Sequence, residues 1–287
     1  MKSIEQLKAF LTPTRDSDFK YVGQAEDPGW GRVYGGLFLA QGFGAAYQTV
    51  DMGYRLHSLN AHFLQPGRVN AAIEYRVSSL LDGRSFHVRN VLARQGKQTV
   101  FSATYSFQCI EDGLALQNSQ MPTSVPSMKT VPTVIELRRE LQKKVSFKLH
   151  AQLLSNQPIN VRPVSPVNPL APEPLSAEQQ VWYECARLGV DDHYGQTLFL
   201  VYASDFSFLP TAMRPFGISW LTSGVKVTSL SHQLWLHRPF SLADGVLHAM
   251  KASNVNGGRA LVRGELFSAD GSLIASSAQE GLLRFRG

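Results

Sequence analysis

Two long stretches of the chain alternate apolar and polar positions strictly. In AIEYRVSSL, Ile73, Tyr75 and Val77 alternate with Glu74, Arg76 and Ser78. In TVFSATYSFQC, Phe101, Ala103, Tyr105 and Phe107 alternate with Ser102, Thr104, Ser106 and Gln108. A period of two predicts strands with one covered face, and LNAHFLQ and SFHVRNVLAR read as further strands beside them. Ahead of these strands, GGLFLAQGFGAAYQTV (35–50) predicts a helix with unusually small side chains: Gly35, Gly36, Ala40, Gly42, Gly44, Ala45 and Ala46. Glycine weakens a helix by about 1 kcal/mol relative to alanine, so close approach to a sheet wrapped around the helix has to compensate. A helix followed by a meander of long antiparallel strands is an α+β unit whose sheet curls around its helix.

The pattern then returns. LHSLNAHFLQP (56–66) has a counterpart in SLSHQLWLHRP (229–239), each an apolar strand pattern closed by proline. Residues 83–108 match 258–283 in such a way that Gly83, Arg84 and Gly96 fall on Gly258, Arg259 and Gly271. The helical segment 35–50 is paired with SDFSFLPTAMRPFG (204–217). Repetition on this scale indicates a duplicated domain-sized unit, since solenoid repeats are shorter, and it predicts a site at the seam between the copies. Between them lie a loop-like stretch (110–131), a basic helix (about 132–154) and SNQPINVRPVSPVNPLAPEPLS (155–176). The six prolines of this last stretch exclude a continuous helix or central strand. The expected organisation is an amino-terminal unit over 1–112, a linking segment over 113–159 and a carboxy-terminal unit over 160–287.

Composition narrows the function classes. The 287 residues are 44% hydrophobic, enough for a large core. The net charge of +6 is scattered, and its densest group, Arg138, Arg139, Lys143 and Lys144, reads as the solvated face of a helix. This argues against a nucleic-acid partner and equally suits a small polyanionic ligand such as a phosphorylated cofactor. Cys109 and Cys185, the only cysteines, form no CxxC and read as free thiols of a reducing compartment. MKSIEQLKAFLTPT lacks the apolar run of a signal peptide, no segment has the length of a membrane span, and RFRG is not a peroxisomal tripeptide. A cytoplasmic chain without stable membrane insertion is expected.

There is no GxSxG elbow, phosphate loop, HExxH or metal-spaced histidine set. His232 and His237 fall on opposite faces of one strand and read as hydrogen-bonded structural histidines. The remaining polar candidates lie where the repeat's symmetry breaks. Asp205 opens the second helix pattern, opposite Gly36 when the helices are aligned by their starts; a helix cap explains it equally well. Ser229 precedes LSHQLWLHRPF, and Gln279 falls opposite Thr104; taken singly, each also reads as a solvated strand residue.

Together these stretches resemble the acyl-CoA thioesterase II family, the double-hotdog thioesterases. The resemblance rests on RVYGGLFLAQG (32–42), HFLQPG (62–67), DGRSFHVRNVLARQ (82–95), NPLAPEP (168–174), YASDFSFLP (202–210), LSHQLWLHRPF (230–240) and RGELFSADGSLIASSAQEG (263–281). It covers nearly the full length in the family's order. It implies two tandem hotdog units, each a long helix wrapped by an antiparallel sheet, and a hydrolase of palmitoyl-CoA type that cleaves fatty acyl-CoA. The family's water-holding Asp, Thr or Ser, and Gln fall on Asp205, Ser229 and Gln279. Ser229 stands where the best-known bacterial relatives carry Thr, which keeps the hydroxyl and loses a methyl. The resemblance further implies backbone oxyanion donors in the Tyr34-Gly35-Gly36 turn, no metal or other cofactor, no covalent intermediate, and a homo-oligomer. Two rivals remain on the same fold: an enoyl-CoA hydratase or dehydratase using Asp205 with His232, and a non-catalytic acyl-CoA-binding protein.

Overall fold

The computed structural model describes residues 2–29, 31–141 and 158–286. A short helix α1 (Ile4–Leu11) leads into a small hairpin, β1 (Thr14–Ser17) and β2 (Lys20–Gly23), and then the central helix α2 (Gly35–Tyr47). The meander β3 (Tyr54–Phe63), β4 (Ile73–Asp82), β5 (Phe86–Gln95) and β6 (Gln98–Cys109) follows. After helix α3 (Val134–Leu141) come β7 (Asn160–Pro163), β8 (Glu178–Glu184), α4 (His193–Ala203) and α5 (Phe208–Met213). The chain ends in β9 (Val225–Leu236), β10 (Val246–Asn256), β11 (Arg259–Ser268) and β12 (Leu273–Phe285). Of the expected basic helix, Val134–Leu141 is seen; Lys143 and Lys144 lie outside the described residues.

All strand pairs are antiparallel and join into one sheet of order β1-β2-β4-β5-β6-β3-β9-β12-β11-β10-β8-β7. The seam is the pairing of β3 with β9, running from Ser58 opposite Trp235 to His62 opposite Ser231. Each half of the sheet covers its own helix, as the double-hotdog expectation requires. The small residues of α2 have the anticipated reason: every residue from Gly36 to Ala46 is buried. A Cβ on Gly42 would land on the Tyr105 hydroxyl, which donates to Leu39 O at 2.9 Å. The alternating residues Ile73, Tyr75, Val77, Phe101, Ala103, Tyr105 and Phe107 all face this core. Helices α2 and α4 pack against each other across the seam, joined by a bond from Tyr34 Oη to Tyr202 O at 3.0 Å.

The second helical segment starts earlier than the sequence pattern indicates and is broken. The second unit divides its helical part in two: α4, His193–Ala203, packs on α2, while α5, inside the expected 204–217, packs on β9–β12, and Asp205 lies in the break between them instead of opening a helix. Helix α4 is buried from Leu198 to Ala203, so it has no polar face and no helical alternation to read. Its start signal is Asp192, whose side chain accepts from Gly195 N–H at 2.9 Å. The segment 208–216 forms only the short α5 and one further turn.

Candidate active site

Asp205 lies in the break between α4 and α5, just past the C-cap Ser204. It is buried, and it faces the first turn of α2 in the other half of the molecule. Its Oδ2 accepts from Gly36 N–H at 3.0 Å. Tyr34, the residue before that helix, makes no side-chain capping bond to it, and the carboxylate of the opposite unit fills that role. Two glycines make the approach possible. A Cβ on Gly35 would come within 2.6 Å of Asp205 Oδ2, and one on Gly36 would overlap the Tyr202 carbonyl and the Tyr34 ring. The Tyr34 ring stacks on Phe206 at 5.1 Å between centroids and braces the turn that carries Asp205.

Ser229 and Gln279 reach the same carboxylate from the sheet. Ser229 Oγ donates to Asp205 Oδ1 at 3.2 Å, and Gln279 Nε2 donates to Ser229 Oγ at 3.0 Å. Gln279 Oε1 faces His232 Nδ1 at 2.6 Å, and His232 Nε2 lies 3.0 Å from Ser204 Oγ. Ser229 and His232 are three residues apart, which on a regular strand puts them on opposite faces. Here a bulge intervenes: Ser231 pairs with Glu280 and Ser229 with Gly281, leaving Leu230 as the extra residue. The bulge turns both side chains inward. Asp205, Ser229, Gln279 and the Gly36 N–H therefore form one connected group, extended by His232 and Ser204.

Burial pushes the Asp205 carboxyl up to about 6, even though donation from Gln279, Ser229 and Gly36 favours its charged form. Burial also lowers His232 to about 4, so its imidazole is neutral at physiological pH. No bond joins Asp205 to His232 directly; Gln279 and Ser229 stand between them. His237 lies on the other face and contacts Ser276 Oγ at 2.8 Å. Among the described residues no group of three or more His, Cys, Asp or Glu side chains is arranged to hold a metal, and no helix is long and apolar enough to cross a membrane.

The structure pairs the two halves in a different register from the sequence repeat. Tyr34-Gly35 at the start of α2 corresponds to Tyr194-Gly195 of α4, which places Ala45, not Gly36, opposite Asp205. The β5–β6 hairpin turns through Gly96-Lys97, whereas β11–β12 needs the longer turn of Ala269, Asp270 and Gly271. Aligning the glycines therefore shifts β12 by one residue, which reverses its faces. The inward Gln279 corresponds to the inward Tyr105, and Thr104 points outward. The bulged Ser229 corresponds to Leu56, since β3 has its own register shift between Leu56 and Ser58. In place of Asp, Ser and Gln, the mirror position holds Ala45, Leu56 and Tyr105, all buried. There the helix start is capped by its own Asp192, which is ion-paired to Lys8.

The comparisons with known proteins agree with this architecture. Residues 26–108 match the acyl-CoA thioesterase N-terminal domain and residues 150–282 the acyl-CoA thioesterase family. The chain is 36% identical to acyl-CoA thioesterase 2 of Haemophilus influenzae, over 93% of each chain. The chain belongs to the acyl-CoA thioesterase II family. It is also 31% identical to human acyl-coenzyme A thioesterase 8, across 89% of this chain and 81% of that one. Among solved structures, acyl-CoA thioesterase II TesB2 from Mycobacterium marinum superposes with a TM-score of 0.76 at 29% identity, covering 99% of both chains. Within this family fold, Ser204 was missed by sequence reading, and His232 was read as structural. Only the hydrogen-bond chain connects them to Gln279.

Proposed function

We propose that the protein hydrolyses fatty acyl-CoA to free acid and CoA by direct attack of a water activated by Asp205. The observation that carries this reading is a buried carboxylate held between a helix N-terminus and a Ser–Gln pair, pushed up to about 6. A general base works best when its pKa is near the working pH, and burial supplies that here.

Asp205 takes one proton from water while the water oxygen bonds to the thioester carbon and the carbonyl oxygen becomes an oxyanion. Ser229 and Gln279 orient the water through their hydroxyl and amide. The N–H groups of the Tyr34-Gly35-Gly36 turn serve as oxyanion donors at the positive end of α2. Gly36 N–H is bonded to Asp205 at rest. As the carboxylate gains a proton its hold on that N–H weakens, just as negative charge appears on the substrate oxygen. Collapse then breaks the C–S bond, and Asp205 returns its proton to the CoA sulfur. The acyl chain would lie along the seam between the two helices, and the chain would act as a homo-oligomer.

A hydratase on the same fold would use Asp205 and His232 as an acid–base pair, but the neutral His232 is turned toward Gln279 and Ser204. A purely acyl-CoA-binding role would give no reason to keep a buried base. The test is thiol release from short, medium and long acyl-CoA by chelator-treated enzyme, alongside hydration of an enoyl-CoA. Thiol release without hydration is expected, and palmitoyl-CoA is expected among the substrates. Absence of thiol release at every chain length would remove the thioesterase reading, and hydration would favour its rival.

A further inference from the structure

The polar chain behind Asp205 is longer than the proposed reaction uses, and its direction is chemically constrained. Gln279 carries an oxygen that only accepts and a nitrogen that only donates. Its amide links Ser229 on one side and His232 on the other, at 3.0 and 2.6 Å. If the nitrogen faces Ser229, the serine's own hydrogen is free to point at Asp205 Oδ1. If the amide is reversed, its oxygen draws the serine hydrogen away and leaves the carboxylate facing a lone pair. Only the first orientation supports an ionised Asp205, and it requires a hydrogen on His232 Nδ1. His232 Nε2 then accepts from Ser204, whose hydroxyl lies 3.0 Å away. Ser204 carries one hydroxyl hydrogen and has a second acceptor in reach, Val201 O at 2.8 Å, so this arrangement turns that hydrogen from Val201 O to Nε2, while the Ser204 N–H donates to Leu200 O at the end of α4. Packing supports the ring as well: Phe208 meets it edge-on at 5.5 Å between centroids.

We infer that His232, braced by Ser204, is a positioning residue that holds the Gln279 amide with its nitrogen toward Ser229 and so keeps Asp205 ready to accept a proton. This rests on the thioesterase reading for its consequence in catalysis, but its geometry does not depend on that reading. His232 touches none of the reacting atoms; it acts through Gln279. The mirror half of the molecule makes the contrast, because the residue equivalent to His232 is Leu59, beside the equally unreactive Tyr105.

The mirror half also supplies the substitution for the test. His232→Leu places in the second unit the side chain that the first unit accommodates in the same place, and His232→Asn keeps a donor near the Nδ1 position. His232→Leu should lower kcat by about 10-fold or more, in the range expected for a misplaced catalytic group, while KM stays within about twofold. His232→Asn should recover most of that loss. In the Gln279→Ala background, His232→Leu should have no further effect on kcat, because its only route to the reaction is gone. Imidazole ¹⁵N shifts of the wild-type protein, assigned by loss of the signal in His232→Leu, should show the hydrogen on Nδ1. The inference is overturned by a hydrogen on Nε2, by a full additional loss in the Gln279→Ala background, or by His232→Leu with wild-type kcat. An inactive wild type would instead strike at the thioesterase reading, while the ¹⁵N result would still decide how His232 is held.

Discussion

The Asp205→Asn variant should be more stable than the wild type while losing its activity. The carboxyl is pushed from an ordinary 3.8 to about 6, mainly by burial. The folded state therefore binds this proton more readily than the unfolded state does. Below about pH 4 both states are protonated and the group has no effect on stability. Between about 4 and 6 the unfolded state ionises first, so stability falls as pH rises, and above about 6 the deficit is constant. Converted at about 1.4 kcal/mol per pH unit, the deficit is about 3 kcal/mol. The asparagine side chain of the variant would avoid it, since its Oδ1 still accepts from Gly36 N–H and its Nδ2 can donate to Ser229 Oγ. At this chain length 1 kcal/mol corresponds to roughly 2 °C in Tm, so a gain of roughly 6 °C is expected near neutral pH. The assay is the Tm of both proteins from pH 4 to 8, with kcat measured on the same preparations. The Tm difference should open between pH 4 and 6 and then level off, while kcat falls by about 10²-fold or more. An Asp205→Asn variant that melts below the wild type at pH 8, or a Tm difference independent of pH, would refute the argument. With kcat unchanged as well, Asp205 would be a helix cap and nothing more.

The wild-type kcat should fall on the acid side with a midpoint near pH 6, as Asp205 takes up its proton; a pH–rate profile free of an acid limb in that region would contradict this. Ser229→Ala and Gln279→Ala should each reduce kcat, while Ser229→Thr should be tolerated because the hydroxyl is the required group; steady-state kinetics on a single acyl-CoA decides. Gly36→Val should damage turnover without removing any side-chain chemistry, because a Cβ there overlaps the Tyr202 carbonyl and the Tyr34 ring; a variant with wild-type kcat would sink that reasoning. Titration with a non-hydrolysable acyl-CoA analogue should give one catalytic equivalent per chain, and two would contradict the closure of the mirror position by Ala45, Leu56 and Tyr105.

The strands were readable because each has one covered face, so burial imprints a period of two on residues such as Ile73, Tyr75 and Val77. Helix α2 was readable from its glycines and alanines, which only a close-fitting sheet explains. Helix α4 was hidden for the opposite reason: buried without a break from Leu198 to Ala203, HYGQTLFLVYA carries no amphipathic signal, and only its neighbour SDFSFLP was read as helical. The grouping of Asp205, Ser229 and Gln279 came from family resemblance, since neither their spacing nor their local pattern brings them together. Bulges escape sequence reading altogether. The extra residue Leu230 turns Ser229 inward beside His232, and the longer turn at Ala269–Gly271 decides whether Gln279 corresponds to Thr104 or Tyr105.

The pairing of β3 with β9 makes one continuous sheet of two units that a single polypeptide also joins. Had the two halves been identical chains, their contact would be isologous, and any substitution at the seam would appear on both sides of the twofold axis. Tyr105 could then fill the mirror position only by displacing Gln279 as well. Covalent linkage removes that constraint. One helix start can be sealed by Asp192 and Lys8 for rigidity, while the other leaves its first-turn N–H to a carboxylate from across the seam. Stability and reactivity, which compete for the same residues in a symmetric pair, are here assigned to different addresses in one gene product.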